Sequence, residues 1–294
     1  MAFAPAHVVD PIARTPLPYG LFSAVTPRPS GDGRWENGIT WEALTCDPAG
    51  GIGDPTCDPQ DPTQTEATGL PKEFAEGGLL GEASRFTVYG SYVCGPAGHM
   101  IEYAREQATE HLIAREEARV ERALWTGDLG NGPSFADATT ATTSALDPCL
   151  AVAVAENTIA QTYGSLGVLH MSRGMAQMLL CEDSLEVRGQ RLYTNLGTPV
   201  IAGAGYLSTH PDGTTEGTGW FVSTPAILLY RSEIFYPSSR AGDLLDRGRN
   251  DLYAVAERDY AAGWDPCGTF AYETTLEIPD VELPGDDDAE NGEG

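Results

Sequence analysis

The stretch 97–126, AGHMIEYAREQATEHLIAREEARVERALWT, decides how the rest of the chain is organised. It contains no proline, and Ala, Glu, Arg and Leu fill most positions, so it predicts one unbroken helix that Gly127 stops. A helix of about 28 residues runs roughly 40 Å at 1.5 Å per residue, longer than a compact domain of this size usually needs. Its apolar stripe is narrow and built from small residues: Met100, Ala104, Ala108 and Leu112, then Ile113, Val120 and Leu124 after a slip of register. The pattern predicts a beam lying on a surface rather than inside a core. Glu102, Glu106 and Glu110 share another face, where like charges four apart repel by a few tenths of a kcal/mol per pair unless a cation lies alongside. A solvated acidic face is the preferred reading, and a docking face is its rival.

Outward from the beam, the totals bound the class. With 294 residues the chain buries a substantial core, and 41% hydrophobic content with 12 Tyr, 8 Phe and 5 Trp argues against global disorder despite 34 Gly and 21 Pro. The net charge of −26 repels phosphate and disfavours nucleic acid as a directly bound ligand. The last 18 residues carry eight acids and no base, yet without them the charge is still −18, so the acidity is distributed. Of the 17 basic residues only Lys72 is a lysine, which fits the codon bias of a GC-rich source, with a halophilic source as the competing explanation. Cys46, Cys57, Cys94, Cys149, Cys181 and Cys267 lie far apart, with no C-x-x-C and no zinc-ligand spacing. The N-terminus has prolines where a signal peptide needs an apolar core, and no run approaches 18 apolar residues. The expectation is a protein made and folded in the cytoplasm, with no membrane segment.

Residues 1–33 hold Pro5, Pro11, Pro16, Pro18, Pro27 and Pro29, which forbid a regular helix and predict an extended arm draped over its own or another subunit. In RWENGITWEALT (34–45), Asn37-Gly38 between two Trp-bearing segments signals a type I′ hairpin. Residues 46–84, with five prolines and seven glycines, are either disordered or a projecting excursion ordered against something else. RFTVYGSYV (85–93) returns from it as a strand. After the beam, GDLGNGPSF is a glycine turn and ATTATTSA a small-residue linker. Asp147, Pro148 and Gly164 mark both ends of a second helix, and Ser172 caps a third, RGMAQMLLC, whose methionines fill core. Strands are predicted at 167–171, 198–204, 219–223 and 226–236, and a closing strand pair at DLYAVAER (251–258) and GTFAYETTLEI (268–278). The order specifies α+β rather than a doubly wound fold.

The chemistry searched for is missing. There is no G-x-S-x-G and no phosphate loop, and GDLGNG sits at a helix C-terminus, where the dipole repels anions. Glu110 and His111 are adjacent on the beam and point apart, unlike the Glu-x-x-His of bundle metal pairs; His99 shares the beam, and His7, His170 and His210 stand alone. The expectation is no catalytic residue, no cofactor and no metal.

Five stretches in order resemble the major capsid proteins of tailed bacteriophages with the Hong Kong 97 fold, particularly those of actinobacterial phages: EEARVERALWTGD with GNG after it, GVLHMSRGMAQML, LYTNLGTPVIAGAGY, VSTPAILLYRSEI and AVAERDYAAGWDPCGTFAYETTL. The resemblance covers about 97–278 and implies an α+β fold with an N-terminal arm (1–33), an extended loop reaching over a neighbour (34–92) and a peripheral domain with a spine helix (93–135). It further implies an axial domain (136–245) and peripheral-domain strands (246–280); the acidic tail (281–294) lies outside it. The implied function is a non-enzymatic shell subunit of the virion, assembled in the host cytoplasm as hexamers and pentamers around double-stranded DNA that it encloses without specific binding. A portal and separate scaffolding or decoration proteins are the implied partners. An encapsulin-like nanocompartment shares the fold and is the alternative, and an acidic secreted hydrolase is the alternative of another class. Some family members weld their shells by an isopeptide bond between a loop lysine and a neighbour's asparagine. Lys72 lies in the loop and Asn250 is the asparagine best placed by position, but a solvated lysine beside Glu73 is the preferred reading.

Overall fold

The computed structural model describes residues 15–29, 34–43, 46, 79–95, 101–237, 245–246, 248 and 251–278. His7, Cys57, Lys72, His99, Met100, Asn250 and the acidic tail lie outside the described residues.

The predicted beam is α2 (Ile101–Thr126), preceded by a single helical turn α1 (Leu21–Ala24). Gly127 ends α2 at φ +68°, its N–H bonded to the Ala123 carbonyl. The apolar stripe does not slip. Ala104, Ala108, Leu112, Glu116, Val120 and Leu124 follow one another four apart and all are buried, whereas Ile113 is 57% exposed. Glu116 holds the stripe position at which the apolar pattern of the sequence shifts to Ile113. The last turns, with Ala123, Leu124 and Trp125 fully buried, enter the core rather than lie on a surface. Glu102, Glu106 and Glu110 are exposed in the single chain, as both a solvated face and a docking face would be.

Two sheets flank this helix. The first is built on β13 (Asp251–Gly263), which carries β4 (Arg85–Cys94) along one edge. The other edge takes β11 (Leu228–Arg231) and the two-residue β12 (Leu245–Asp246). The arm adds β1 (Arg28–Pro29) beside β11. Residues 86, 88 and 90 of β4 and 252, 254 and 256 of β13 face α2, and Gly90 is there for a physical reason. A Cβ on it would stand 2.4 Å from the Leu112 nitrogen and 2.5 Å from the Ala108 carbonyl oxygen, so only glycine lets the strand meet the helix backbone.

The second sheet has seven strands in the order β5-β14-β10-β6-β9-β8-β7. These are β5 (Thr139–Thr140), β6 (Val168–Ser172), β7 (Leu185–Arg188), β8 (Arg191–Thr194), β9 (Pro199–Gly203), β10 (Trp220–Thr224) and β14 (Phe270–Glu273). Both of its faces are covered. Trp220, Val222, Ile201 and Ala271 join the core shared with α2, while Phe221, Leu169, Val200 and Tyr272 pack with α3 (Pro148–Tyr163) and α4 (Arg173–Cys181). Burial on two faces is why these strands read as continuous apolar runs. α3 is capped as its sequence specifies, with Asp147 accepting from the amides of Cys149 and Leu150 and Gly164 at φ +69°. Ser172 likewise accepts from Met175 N at the start of α4; of the two methionines on that helix Met175 is buried in the core as expected, whereas Met178 is 43% exposed and does not fill it. Gly205 brings the second sheet onto α2, since a Cβ there would lie 1.8 Å from the Ala118 carbonyl oxygen.

Several expectations are corrected. Asn37-Gly38 does not close a hairpin: Arg34–Asn37 is a 3-10 turn whose Trp35 is buried and stacked on Tyr230, and Gly38 at φ +99° releases the chain from it. The strand that follows, β2 (Ile39–Ala43), pairs instead with β3 (Leu79–Ala83), which lies inside the stretch read as loop. The chain at 226–236 is a strand only over β11, because Phe235 makes just an isolated bridge to Glu257. The two late strands do not pair. β13 belongs to the first sheet and β14 to the second, with the turn at Trp264–Thr269 crossing between them, so 246–280 is not one strand pair. The arm prolines leave room for the turn α1 between Pro18 and Pro27. The β7–β8 hairpin around Gly189 (φ +66°) was not foreseen.

Candidate assembly surface

Among the described residues three histidines appear, and each is engaged by neighbours in the fold. His170 is fully buried, bonded to Tyr206 Oη at 3.1 Å and Thr224 Oγ1 at 2.9 Å, and burial lowers its pKa to about 3, so it is neutral. His210 sits on Asp212 at 2.9 Å and edge-on to Trp220, and the amides and hydroxyl of Thr214 and Thr215 hold the Asp212 carboxyl well below the usual range. His111 Nδ1 is 3.1 Å from the Ser91 carbonyl oxygen. Among the described residues no three of His, Cys, Asp and Glu are grouped to hold a metal ion, and no helix is long and apolar enough to cross a membrane.

A cleft of about 1210 Å³ lies between the arm, α2, β4 and β9. It holds two glutamates whose carboxyls burial pushes up, Glu121 to about 7 and Glu117 in the same direction. Three of the four carboxyl oxygens accept from backbone amides, which gives the pair a structural task. Glu121 accepts from Leu21 N and Gly205 N, both at 2.9 Å, and Glu117 accepts from Phe22 N at 2.7 Å. Arg173 donates to the Pro18 carbonyl at 2.7 Å, Arg191 to the Ser23 carbonyl at 3.2 Å, and Ala202 N to the Tyr19 carbonyl. Leu21 is fully buried and Phe22 stacks on Tyr260. These groups fasten arm residues 18–23 to the chain's own helix and second sheet. Nothing in the sequence spacing announces the two glutamates except that Glu116, Glu117 and Glu121 interrupt the buried side of the beam.

Glu116 is the other half of that interruption. It is 5% exposed, and accepts from Arg258 at 2.7 and 2.9 Å and from Tyr260 Oη at 2.7 Å, pinning α2 to β13. Burial and the neighbouring Glu116 push the Tyr260 hydroxyl far up, so it stays a donor.

Among the described residues, exposed apolar side chains stand on the first sheet and on the ribbon beside it. The outer face of the first sheet, away from α2, carries Tyr89 (66% exposed) and Val93 (50%), paired across to Glu257 and Tyr253, with Phe235 bridged beyond Glu257. The β2–β3 ribbon carries Leu80, 66% exposed. At its root the Trp41 ring lies over Gly81 and Gly263, where a Cβ would come within 2.2 and 2.3 Å, and Trp41 Nε1 donates to Asp265 at 3.1 Å. Cys46 and Cys267 form a disulfide at the same root, a pairing that 221 residues of separation hid from any spacing argument.

No protein-family model matches the chain, and no curated protein matches its sequence. Solved structures do match. A chain of Mycobacterium phage Adephagia is 11% identical and aligns over 91% of this chain and 93% of its own, with a TM-score of 0.54. A chain of the capsid of an empty GTA particle is 9% identical over 94% and 96%, at 0.52. One of Microbacterium phage Oxtober96 is 13% identical over 92% and 96%, at 0.51. At such identities the likeness is one of fold: the α+β fold expected from the sequence is the fold of these phage and capsid chains, across nearly their full length.

Proposed function

We propose that the chain is the subunit of a closed shell: a major capsid protein with the Hong Kong 97 fold, assembling as hexamers and pentamers into an icosahedral phage head. The observation that carries this reading is the agreement of fold with a capsid chain over 94% of this chain and 96% of that one. The parts then take roles. The spine is α2, the first sheet with α2 is the peripheral body, and the seven-stranded sheet with α3 and α4 is the axial body, which takes in β14 as well. The ribbon β2–β3 is the root of an extended loop, and residues 1–33 form the arm.

In this reading the apolar outer face of β4 and β13 is covered by the extended loop of a neighbouring subunit, since obligate interfaces exceed about 2,000 Å² and are rich in aromatic residues. The charge of −26 makes neighbouring subunits repel, so apolar burial has to outweigh that repulsion. The same charge keeps enclosed double-stranded DNA from adhering to the wall, and the free subunit has no tight DNA binding. The shell has no enzymatic role. A portal and separate scaffolding or decoration proteins complete the assembly.

Electron microscopy of the expressed chain is the test. Uniform closed particles support the proposal, and a compact monomer of 31.3 kDa would refute it. Particles packed with cargo protein rather than DNA would assign the fold to a nanocompartment instead.

A further inference from the structure

The disulfide between Cys46 and Cys267 sits where the flap meets the body. Cys46 follows β2 on the outgoing limb of the extended loop, and Cys267 lies in the turn that carries the chain from β13 in the first sheet to β14 in the second. Their Cα atoms are 5.1 Å apart. The approach does not depend on the bond. Trp41 is already seated on Gly81 and Gly263 and hydrogen-bonded to Asp265, two residues from Cys267, and Trp264 Nε1 donates to Thr269 Oγ1 at 2.7 Å across the same turn. A non-covalent clamp therefore holds the two sulphurs in register whether they are thiols or a disulfide.

Stable disulfides are rare in a reducing cytoplasm and persist outside it. Resting on the reading of a shell assembled inside a cell, we propose that Cys46 and Cys267 form a redox latch. They are a dithiol while subunits associate, when the flap has to find its neighbour, and a disulfide once the particle meets an oxidising medium, when the flap root is locked to the crossing between the sheets. The oxidant is a low-molecular-weight disulfide. One protein thiolate attacks it to give a mixed disulfide and expels one small thiol. The second protein thiolate then attacks the protein sulphur of that mixed disulfide, forming the Cys46–Cys267 bond and expelling the other small thiol. The two protons of the protein thiols finish on the two small thiols, and two electrons pass to the oxidant. Cys149 and Cys181 are exposed and Cys94 half-buried, all three unpaired, so they serve as internal controls.

The test uses the full chain in whatever oligomer it forms. Cells are lysed into a thiol-alkylating reagent, and a second portion is exposed to oxidised glutathione before alkylation; peptide mass mapping then locates the labels. The latch predicts that Cys46 and Cys267 are both alkylated in the first portion and joined to each other in the second, with Cys94, Cys149 and Cys181 alkylated in both. It also predicts that amide hydrogen exchange in β2 and β3 slows by about tenfold or more on oxidation, the response of a local opening whose root is now closed covalently. Cys46→Ser and Cys267→Ser should form the same oligomer with no change in exchange on oxidation. The proposal is overturned if Cys46 pairs with Cys57, if the disulfide is already present at lysis, or if exchange in β2 and β3 is unmoved by its formation. A monomer that nevertheless passes all three tests keeps the latch and loses the shell.

Discussion

Replacing Gly90 by alanine tests whether the spine helix rests directly on the backbone of the first sheet. The new Cβ would lie 2.4 Å from Leu112 N, 2.5 Å from Ala108 O and 2.8 Å from Leu112 Cα. Ordinary contact begins near 3.4 Å, so the helix and strand must part by about 1 Å, and the atoms met are backbone that cannot rotate away. A 1 Å gap forfeits roughly a quarter to a half of each dispersion contact along the seam, where Ala104, Ala108 and Leu112 are buried. Overpacking of this kind costs about 1–3 kcal/mol, and the rigid partner places it at the upper end, about 3. Lower entropy of the unfolded chain returns about 0.4–1 kcal/mol to alanine. The net loss is about 2 kcal/mol, roughly a thirtyfold change in the folded-to-unfolded ratio. Denaturant unfolding of the dissociated subunit, followed by tryptophan fluorescence, to which buried Trp125 and Trp220 contribute, reads it directly. Gly95→Ala is the control, because a Cβ there meets nothing within 4 Å, and its midpoint should shift by less than about 0.5 kcal/mol. A Gly90→Ala subunit as stable as the control would refute the close approach.

Glu116→Ala leaves the Arg258 guanidinium, whose side chain is 12% exposed, without its main partner, and should cost about 3–5 kcal/mol in the same assay; replacing the pair by Leu and Met should restore most of it, and a loss below about 1 kcal/mol would show the pair to be incidental. Burial favours the neutral form of Glu121, raising its pKa from 4.5 to about 7, so its contribution to stability is fully present below pH 4.5 and lost as pH rises through about 7. Unfolding free energy measured between pH 4.5 and 8 should therefore fall more steeply for the parent than for Glu121→Gln, and equal slopes would contradict the assignment. Particles boiled in detergent and reductant should run as one band near 31.3 kDa, whereas a ladder abolished by Lys72→Arg would reveal crosslinking through the lone lysine.

Local signals carried far in this chain where the physics is local. The caps at Asp147, Ser172, Gly127 and Gly164 stand where their residue types put them, because a cap is decided within four residues. The buried strands β6, β9 and β10 were legible from apolar runs. The reading failed wherever a distant partner decides. Leu79–Ala83 is a strand only because Ile39–Ala43 reaches it, and Asn37-Gly38 is drawn into a 3-10 turn because Trp35 finds Tyr230. Alternation in β13 and β14 gave each strand its faces but not its neighbour, so two strands adjacent in sequence went to different sheets. Buried acids were the hardest to see. Glu116 and Glu121 look like solvent-facing helix formers until Arg258 and the amides of Leu21 and Gly205 are found opposite them.

In the proposed shell, exposed apolar surface on one subunit is completed by the flap of another. A cryo-electron-microscopy reconstruction of the assembled chain tests this by tracing where residues 47–78 of each subunit go. The expected result is a closed shell in which that segment crosses to a neighbour and covers Tyr89, Val93 and Phe235 on the outer face of its first sheet. A segment that folds back over its own subunit, leaving that face bare in the assembled particle, would contradict it.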